Sequence, residues 1–136
     1  MRNADEIKKI NKLIKESYVA VCFTKDELPD WKSFCKCYYP RAHFAIRVFP
    51  EDEQIQVLSL KEYMDAQVGE SNADGYTEVP LESKIEVFGN VAYVKQSFSM
   101  ERVGLKPIKM IDIFSLAKIS DEWKIISVVS DLFLEE

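Results

Sequence analysis

The chain has 136 residues, 47% hydrophobic and 30% charged, with 18 basic against 23 acidic side chains and a net charge of −5. That length sits near the mode for one domain and buries about 68% of the unfolded surface without disulfides or metals, so a single domain over residues 1–136 is expected and a disordered or fibrous chain is excluded. No cluster of Lys and Arg offers a footprint for nucleic acid or an anionic membrane.

The opening MRNADEIKK lacks the apolar core of a signal peptide, and no window reaches the ~18 apolar residues of a membrane span, so a cytoplasmic protein is expected. Asn3 followed by Glu6 resembles a capping box, and Ile7, Ile10, Leu13, Ile14, Tyr18 and Val21 then recur at helical spacing. Thr24 with Glu27 could start another turn, but Pro29 interrupts it, and Asp30 caps a short helix that turns Trp31, Phe34 and Tyr38 inward. The three cysteines, Cys22, Cys35 and Cys37, are an odd number without secretory context, so they are expected to be reduced. Cys35 and Cys37 fall two apart on the predicted helix and point to opposite sides, and with one histidine in the chain a metal site is not expected.

Pro40 forces Tyr39 into extended conformation, and AHFAIRVF alternates, placing Phe44, Ile46 and Val48 on one face and His43 and Arg47 on the other. PEDEQ reads as a solvated acidic turn. Ser59 with Glu62 forms a capping box for a third helix bearing Leu60, Tyr63 and Met64. Val68 to Tyr76 is loop by its Gly, Asn and Asp content.

From Thr77 the pattern changes to four runs rich in Val, Ile, Phe and Tyr, broken at Gly89-Asn90, at Gly104 to Pro107 and at Ser120-Asp121. Gly89-Asn90 between Phe88 and Val91 is a two-residue hairpin signal. Helices followed by an antiparallel meander make an α+β fold, with the helices packed on one face of the sheet. IKMIDIFSLAKI and WKIISVVSDLF, the last two runs, are apolar on both parities, as in strands covered on both faces. A second copy of the chain, meeting sheet to sheet about a two-fold axis, is the expected cover.

Asp112 lies alone in the first of these runs. Such a carboxylate either faces a cavity or is a core residue satisfied by its neighbours. Tyr18 shares both readings, since an inward tyrosine also packs its ring and bonds its hydroxyl wherever it can. Gln96 shares a parity with Ala92, Val94, Phe98 and Met100, so a polar group stands on an otherwise apolar face, facing a ligand or Asp112, or marking one wet position near a sheet edge. His43 falls on the parity away from Phe44 and Ile46, which fits a surface or interface position better than a base. Trp31, Phe44, Phe98 and Phe114 could line an apolar cavity or be plain core.

The element order and three stretches, YYPRAHF, VFGNVAYVKQSF and LAKISDEWKIISV, resemble the cone-shaped α+β fold of the nuclear-transport-factor-2-like superfamily, which includes ketosteroid isomerase, scytalone dehydratase and polyketide cyclases. The likeness runs from about Ile7 to Leu132. Arg41 and Glu122 depart from it, standing where the superfamily usually has Asp and Gly. The resemblance implies three amino-terminal helices packed on a strongly bent antiparallel sheet around a conical cavity. SYVAV, with Tyr18, is similar to the isomerase segment whose tyrosine donates a hydrogen bond to the substrate oxygen. KMIDIF, with Asp112, is similar to the segment whose aspartic acid stays protonated and donates a second one. The isomerase's general base, however, falls on Ile46, which cannot take a proton, so ketosteroid isomerisation by that mechanism is not expected.

Two functions follow as expectations. One is binding of a small apolar molecule, with Asp112, Tyr18 and Gln96 as the polar groups and Trp31, Phe44, Ile46, Phe98 and Phe114 in the pocket. The alternative is an isomerase, lyase or cyclase working by acid–base chemistry with no cofactor, in which Asp112 and Tyr18 are catalytic. A dimeric interaction module is a third reading, if side chains fill the cavity.

Overall fold

The computed structural model describes residues 2–47 and 51–133. In chain order the elements are α1 (Arg2–Val21), β1 (Phe23–Thr24), α2 (Trp31–Lys36), β2 (Tyr38–Ile46), β3 (Gln56–Ser59), α3 (Leu60–Gln67), a 3-10 turn (Glu70–Asn72), β4 (Gly75–Phe88), β5 (Val91–Arg102), β6 (Ile108–Ile119) and β7 (Glu122–Leu132). The seven strands form one curled sheet in the order β1-β4-β5-β6-β7-β2-β3, an α+β architecture. Strands β4 to β7 are the antiparallel meander, but β2 runs parallel to β7, so the sheet is mixed and not wholly antiparallel. No hairpin joins those two strands; the rest of the sheet intervenes in the chain, which leaves the parallel direction open to them. Val48 and Phe49, expected at the end of the first strand, lie outside the described residues. Among the described residues no helix is long and apolar enough to cross a membrane.

Helix α1 buries Ile10, Ile14, Tyr18 and Val21, as its periodicity requires, while Ile7 remains 36% exposed. Asn3 lies inside the helix, and Glu6 does not serve a capping box. Its carboxylate instead accepts from Trp123 Nε1 at 2.9 Å and from Lys118, tying the start of α1 to the β6–β7 hairpin. Asp30 caps α2 by accepting from the Ser33 backbone N–H at 3.1 Å, and Ser59 and Glu62 form both halves of the α3 capping box. Four rings, Tyr38, Phe34, Tyr63 and Phe44, then stack in sequence at centroid distances of 4.5, 5.7 and 4.1 Å, locking α2, β2 and α3 together.

Two bulges decide which side chains face inward. Along β4, Tyr76, Glu78 and Pro80 oppose Arg102, Met100 and Phe98, but after a register shift between Pro80 and Ser83 it is Ser83, Ile85 and Val87 that oppose Gln96, Val94 and Ala92. Strand β5 keeps one parity inward throughout, so the bulge switches the inward residues of β4 from even to odd numbers. In β7 an extra residue at Ile126 does the same, burying Trp123 and Ile125 before it and Val128 and Ser130 after it. The apolar residues on both parities of β7 therefore come in part from the bulge and not from cover on two faces. Strand β6 keeps its parity, with Met110, Asp112, Phe114 and Leu116 buried and Ile113 41% exposed.

Both two-residue hairpins fall where the sequence breaks. Gly89 has φ 62° and Asn90 has no positive φ, the pattern of a II′ turn, whereas Ser120 and Asp121 have φ 50° and 67°, the pattern of a I′ turn built without glycine. A side chain held in that left-handed region is strained, so Asp121→Gly is expected to stabilise the protein by about 1 kcal/mol. Urea unfolding measures this, and an unchanged or lowered midpoint would refute the turn assignment.

Candidate functional site

Between the inner face of the sheet and the helices lies a cavity lined from α1, α2, α3 and strands β2 and β4 to β7. Tyr18, from α1, donates its hydroxyl to Asp112 Oδ2 at 2.6 Å, joining helix to sheet across 94 residues of sequence. The Tyr18 ring is wedged between Phe98, 5.4 Å away, and Phe114, which it meets edge-on at 6.0 Å. Ser130, the cross-strand neighbour of Asp112 in β7, also hydrogen-bonds its carboxyl.

A second carboxyl faces the same cavity. Glu78 stands on the inward parity of β4 before the bulge, and Tyr76 donates its hydroxyl to it. The residue as a whole is half-buried, yet its carboxyl is withdrawn from solvent and lines the cavity with Asp112. Burial, and then repulsion from Asp112, push Glu78 up to about 8, against the Tyr76 hydrogen bond. Burial likewise pushes Asp112 up to about 6, against the bonds from Tyr18 and Ser130. The two carboxyls titrate as a pair, and near neutral pH the pair holds a proton that neither would hold in water. Desolvation, and then the charge of Asp112, raise the Tyr18 phenol well above its ordinary range, so it serves as a donor throughout.

Phe44, Ile46, Phe98 and Phe114 are among the residues that line the cavity. Trp31 does not, because it sits on the outer side of Phe34, packed edge-on at 5.3 Å. Gln96 is buried and directly opposite Asp112 in register, but it is not part of the cavity wall. Its amide donates to the backbone carbonyls of Glu82 at 3.0 Å and Ser97 at 2.9 Å, at the bulge in β4. His43 lies exposed on the outer face. Cys35 reaches towards Met64 Sδ and Cys37 is buried towards the Leu13 carbonyl, so the two thiols point to different neighbours. Among the described residues no group of three or more His, Cys, Asp or Glu is placed to hold a metal ion.

The polar site residues that sequence reasoning missed include Glu78, Tyr76, Gln67 and Ser130. Glu78 shares its parity with Tyr76, and that was the available signal. Gln67 is 3% exposed in the last turn of α3, lines the cavity, and its Oε1 has no hydrogen-bond partner. At the rim, Arg47 is held by Asp131 at 2.6 Å and by the backbone carbonyl of Asp52, and Glu51 forms a two-pronged pair with Arg102. The acidic turn is thus strapped to the sheet and not simply solvated.

The enclosed volume is about 40 Å³, room for about three waters. Binding pockets for organic ligands are usually several hundred Å³. A larger ligand enters only if wall side chains move, and Met100 and Met110, unbranched and flexible, are the ones best able to do so.

The family described as "Putative lumazine-binding" matches residues 5–130. Solved structures of similar fold include an "NTF-2 like protein of unknown function" from Silicibacter pomeroyi, 15% identical, covering 98% of this chain and 100% of that one at a TM-score of 0.67. A "putative dehydratase from the NTF2-like family" from Streptomyces avermitilis is 14% identical, covering 97% and 99% at 0.72. A "putative ketosteroid isomerase" from Parabacteroides distasonis is 17% identical, covering 91% and 85% at 0.62. At these identities the likeness is one of fold. No curated protein matches the chain.

The carboxyl pair sets a pH dependence of stability. Because both acids bind protons more tightly folded than unfolded, the folded state holds the extra protons between about pH 4 and pH 8. Stability is therefore highest on the acid side of that window and falls as pH rises through it. Urea unfolding from pH 5 to 8.5 is expected to show this decline, with Glu78→Gln flattening it. A flat or rising wild-type profile would contradict the buried pair.

Proposed function

The chain belongs to this lumazine-binding-like family of the nuclear-transport-factor-2-like superfamily, and from that premise we propose that it binds a small molecule with an apolar body and one polar end in the conical cavity. The observation that carries the reading is the joining of Tyr18 to Asp112 at the polar end of a cavity otherwise walled by Phe44, Ile46, Phe98 and Phe114. Hydrophobic walls with a few fixed polar groups are the ordinary composition of such sites. Phenol is a suitable probe, with a ring for the walls and a hydroxyl for Asp112. In protein-detected NMR it is expected to shift the resonances of Tyr18, Phe98 and Phe114, with Asp112→Asn weakening binding several-fold. Shifts confined to the surface would overturn the reading.

A second reading rests on Glu78. Acid–base chemistry needs two titratable groups converging on one space with their pKa values set apart, and Asp112 and Glu78 supply both. An isomerase, lyase or cyclase would use Asp112 as base and Glu78 as acid. This reading ranks second, because Ile46 occupies the position of the isomerase's base.

We also propose that the outer face of the sheet pairs two copies of the chain. Val57, Ala45, Val129 and Ile113 are lateral neighbours on β3, β2, β7 and β6, and Val57, Val129 and Ile113 are 69%, 51% and 41% exposed. Sedimentation is expected to give a dimer at micromolar concentration and a monomer for Val129→Lys. A wild-type monomer would refute the pairing.

A further inference from the structure

The hydrogen-bonding capacity left inside the cavity is almost all of one kind. The Tyr18 hydroxyl is committed to Asp112 and the Tyr76 hydroxyl to Glu78. Ser17 and Tyr38 are paired with each other at 3.0 Å, which uses one of their two O–H donors. Beside the other O–H and the proton shared by the carboxyl pair, what remains is acceptor capacity: the free lone pairs of the two carboxyls, and Gln67 Oε1, which is buried and unpartnered. The lining includes one cation, Arg47, and its guanidinium is held at the rim by Asp131 and the Asp52 carbonyl. Two acids are therefore buried together with no other cation among the described residues of the lining, and the negative charge the pair carries beyond its retained proton is costly unless something supplies a counter-charge.

The walls point the same way. Tyr18, Phe44, Tyr63, Phe98 and Phe114 line the same cavity as the carboxyls. Aromatic faces attract cations as well as apolar groups. We propose that the ligand of this cavity is a small organic cation, a protonated amine on an apolar body, whose ammonium sits among Asp112, Glu78 and Gln67 Oε1. The inference rests on the pocket reading above and adds the charge of the ligand to it. An ammonium has three donors and no acceptor, the complement of the three acceptors that the cavity leaves open. A neutral ligand of the same shape would leave the carboxyls without a counter-charge, and an anion would be repelled by them.

The test compares benzylammonium with benzyl alcohol, which share their apolar body and nearly their shape. Protein-detected NMR titrations of the full chain at pH 7 would measure both. Benzylammonium is expected to bind about tenfold more tightly than benzyl alcohol, the factor that corresponds to one charge-assisted contact, and to shift cavity resonances. Glu78→Gln is expected to reduce that preference to near parity. Gln67→Leu, which adds no charge to the interior and remains informative should the first variant fail to fold, is expected to weaken the amine several-fold and leave the alcohol unchanged. If the alcohol binds as tightly as the amine, or if the amine shifts only surface acids, the inference is overturned and the pocket reading stands. If neither compound nor phenol shifts a cavity resonance, both fall.

Discussion

Two carboxyls are held out of water with no cation against them among the described residues, and most of what is particular about this molecule follows from that. In a purely apolar interior each would cost several kcal/mol if ionised. The cost is reduced here in two ways. Each acid receives a tyrosine hydroxyl, Tyr18 to Asp112 and Tyr76 to Glu78, and the pair retains protons that it would otherwise lose below neutral pH. The Tyr18 bond is also an architectural one. It fixes the last turn of α1 over β6, and with Glu6 holding the other end of the helix to Trp123 and Lys118, α1 is set across the sheet at two points.

The sheet brings the acids together through an irregularity. Without the slip between Pro80 and Ser83, a β4 in register at Ile85 and Val87 would turn Glu78 outward, because one residue of shift reverses every side chain. The bulge places it inside. Gln96 is part of the same device, since its buried amide donates to the Glu82 carbonyl at the distorted stretch. Gln96 thus serves the backbone geometry that turns Glu78 into the cavity. The same reasoning applies at β7, where the extra residue at Ile126 brings Ser130 beside Asp112.

Much of this was legible in the sequence, and the unread parts have physical causes. The three helices, the four meander strands and the shared parity of Phe44 and Ile46 follow from period and turn chemistry, which are local, whereas Asp112 and Phe114, in a run apolar on both parities, take their side from the pairing of β6 with β5 and β7. β1 and β3 escaped because two and four residues carry too little alternation to register. The direction of β2 against β7 depends on how the sheet curls, which no local pattern encodes. Glu78 escaped because TEVPLESKIE is rich in polar residues and reads as a solvent-facing edge, and because a bulge is invisible to parity counting. Gln67 escaped because a glutamine in the last turn of a helix is usually solvated. The size and apolar character of Trp31 suit a pocket wall, but it packs edge-on against Phe34, and of the two it is Phe34 that lines the cavity.

The cavity is small as it stands, about 40 Å³, so its chemistry is better defined than its capacity. What its walls offer is set by the charge state of Asp112 and Glu78. Carbon-detected NMR of the two side-chain carboxyls, followed against pH, measures that directly. The account predicts two linked titrations, both displaced upward, with Glu78 the higher and with its midpoint moving down when Asp112 is replaced by its amide. Two independent titrations near the ordinary ~4 of solvated carboxylates would contradict it.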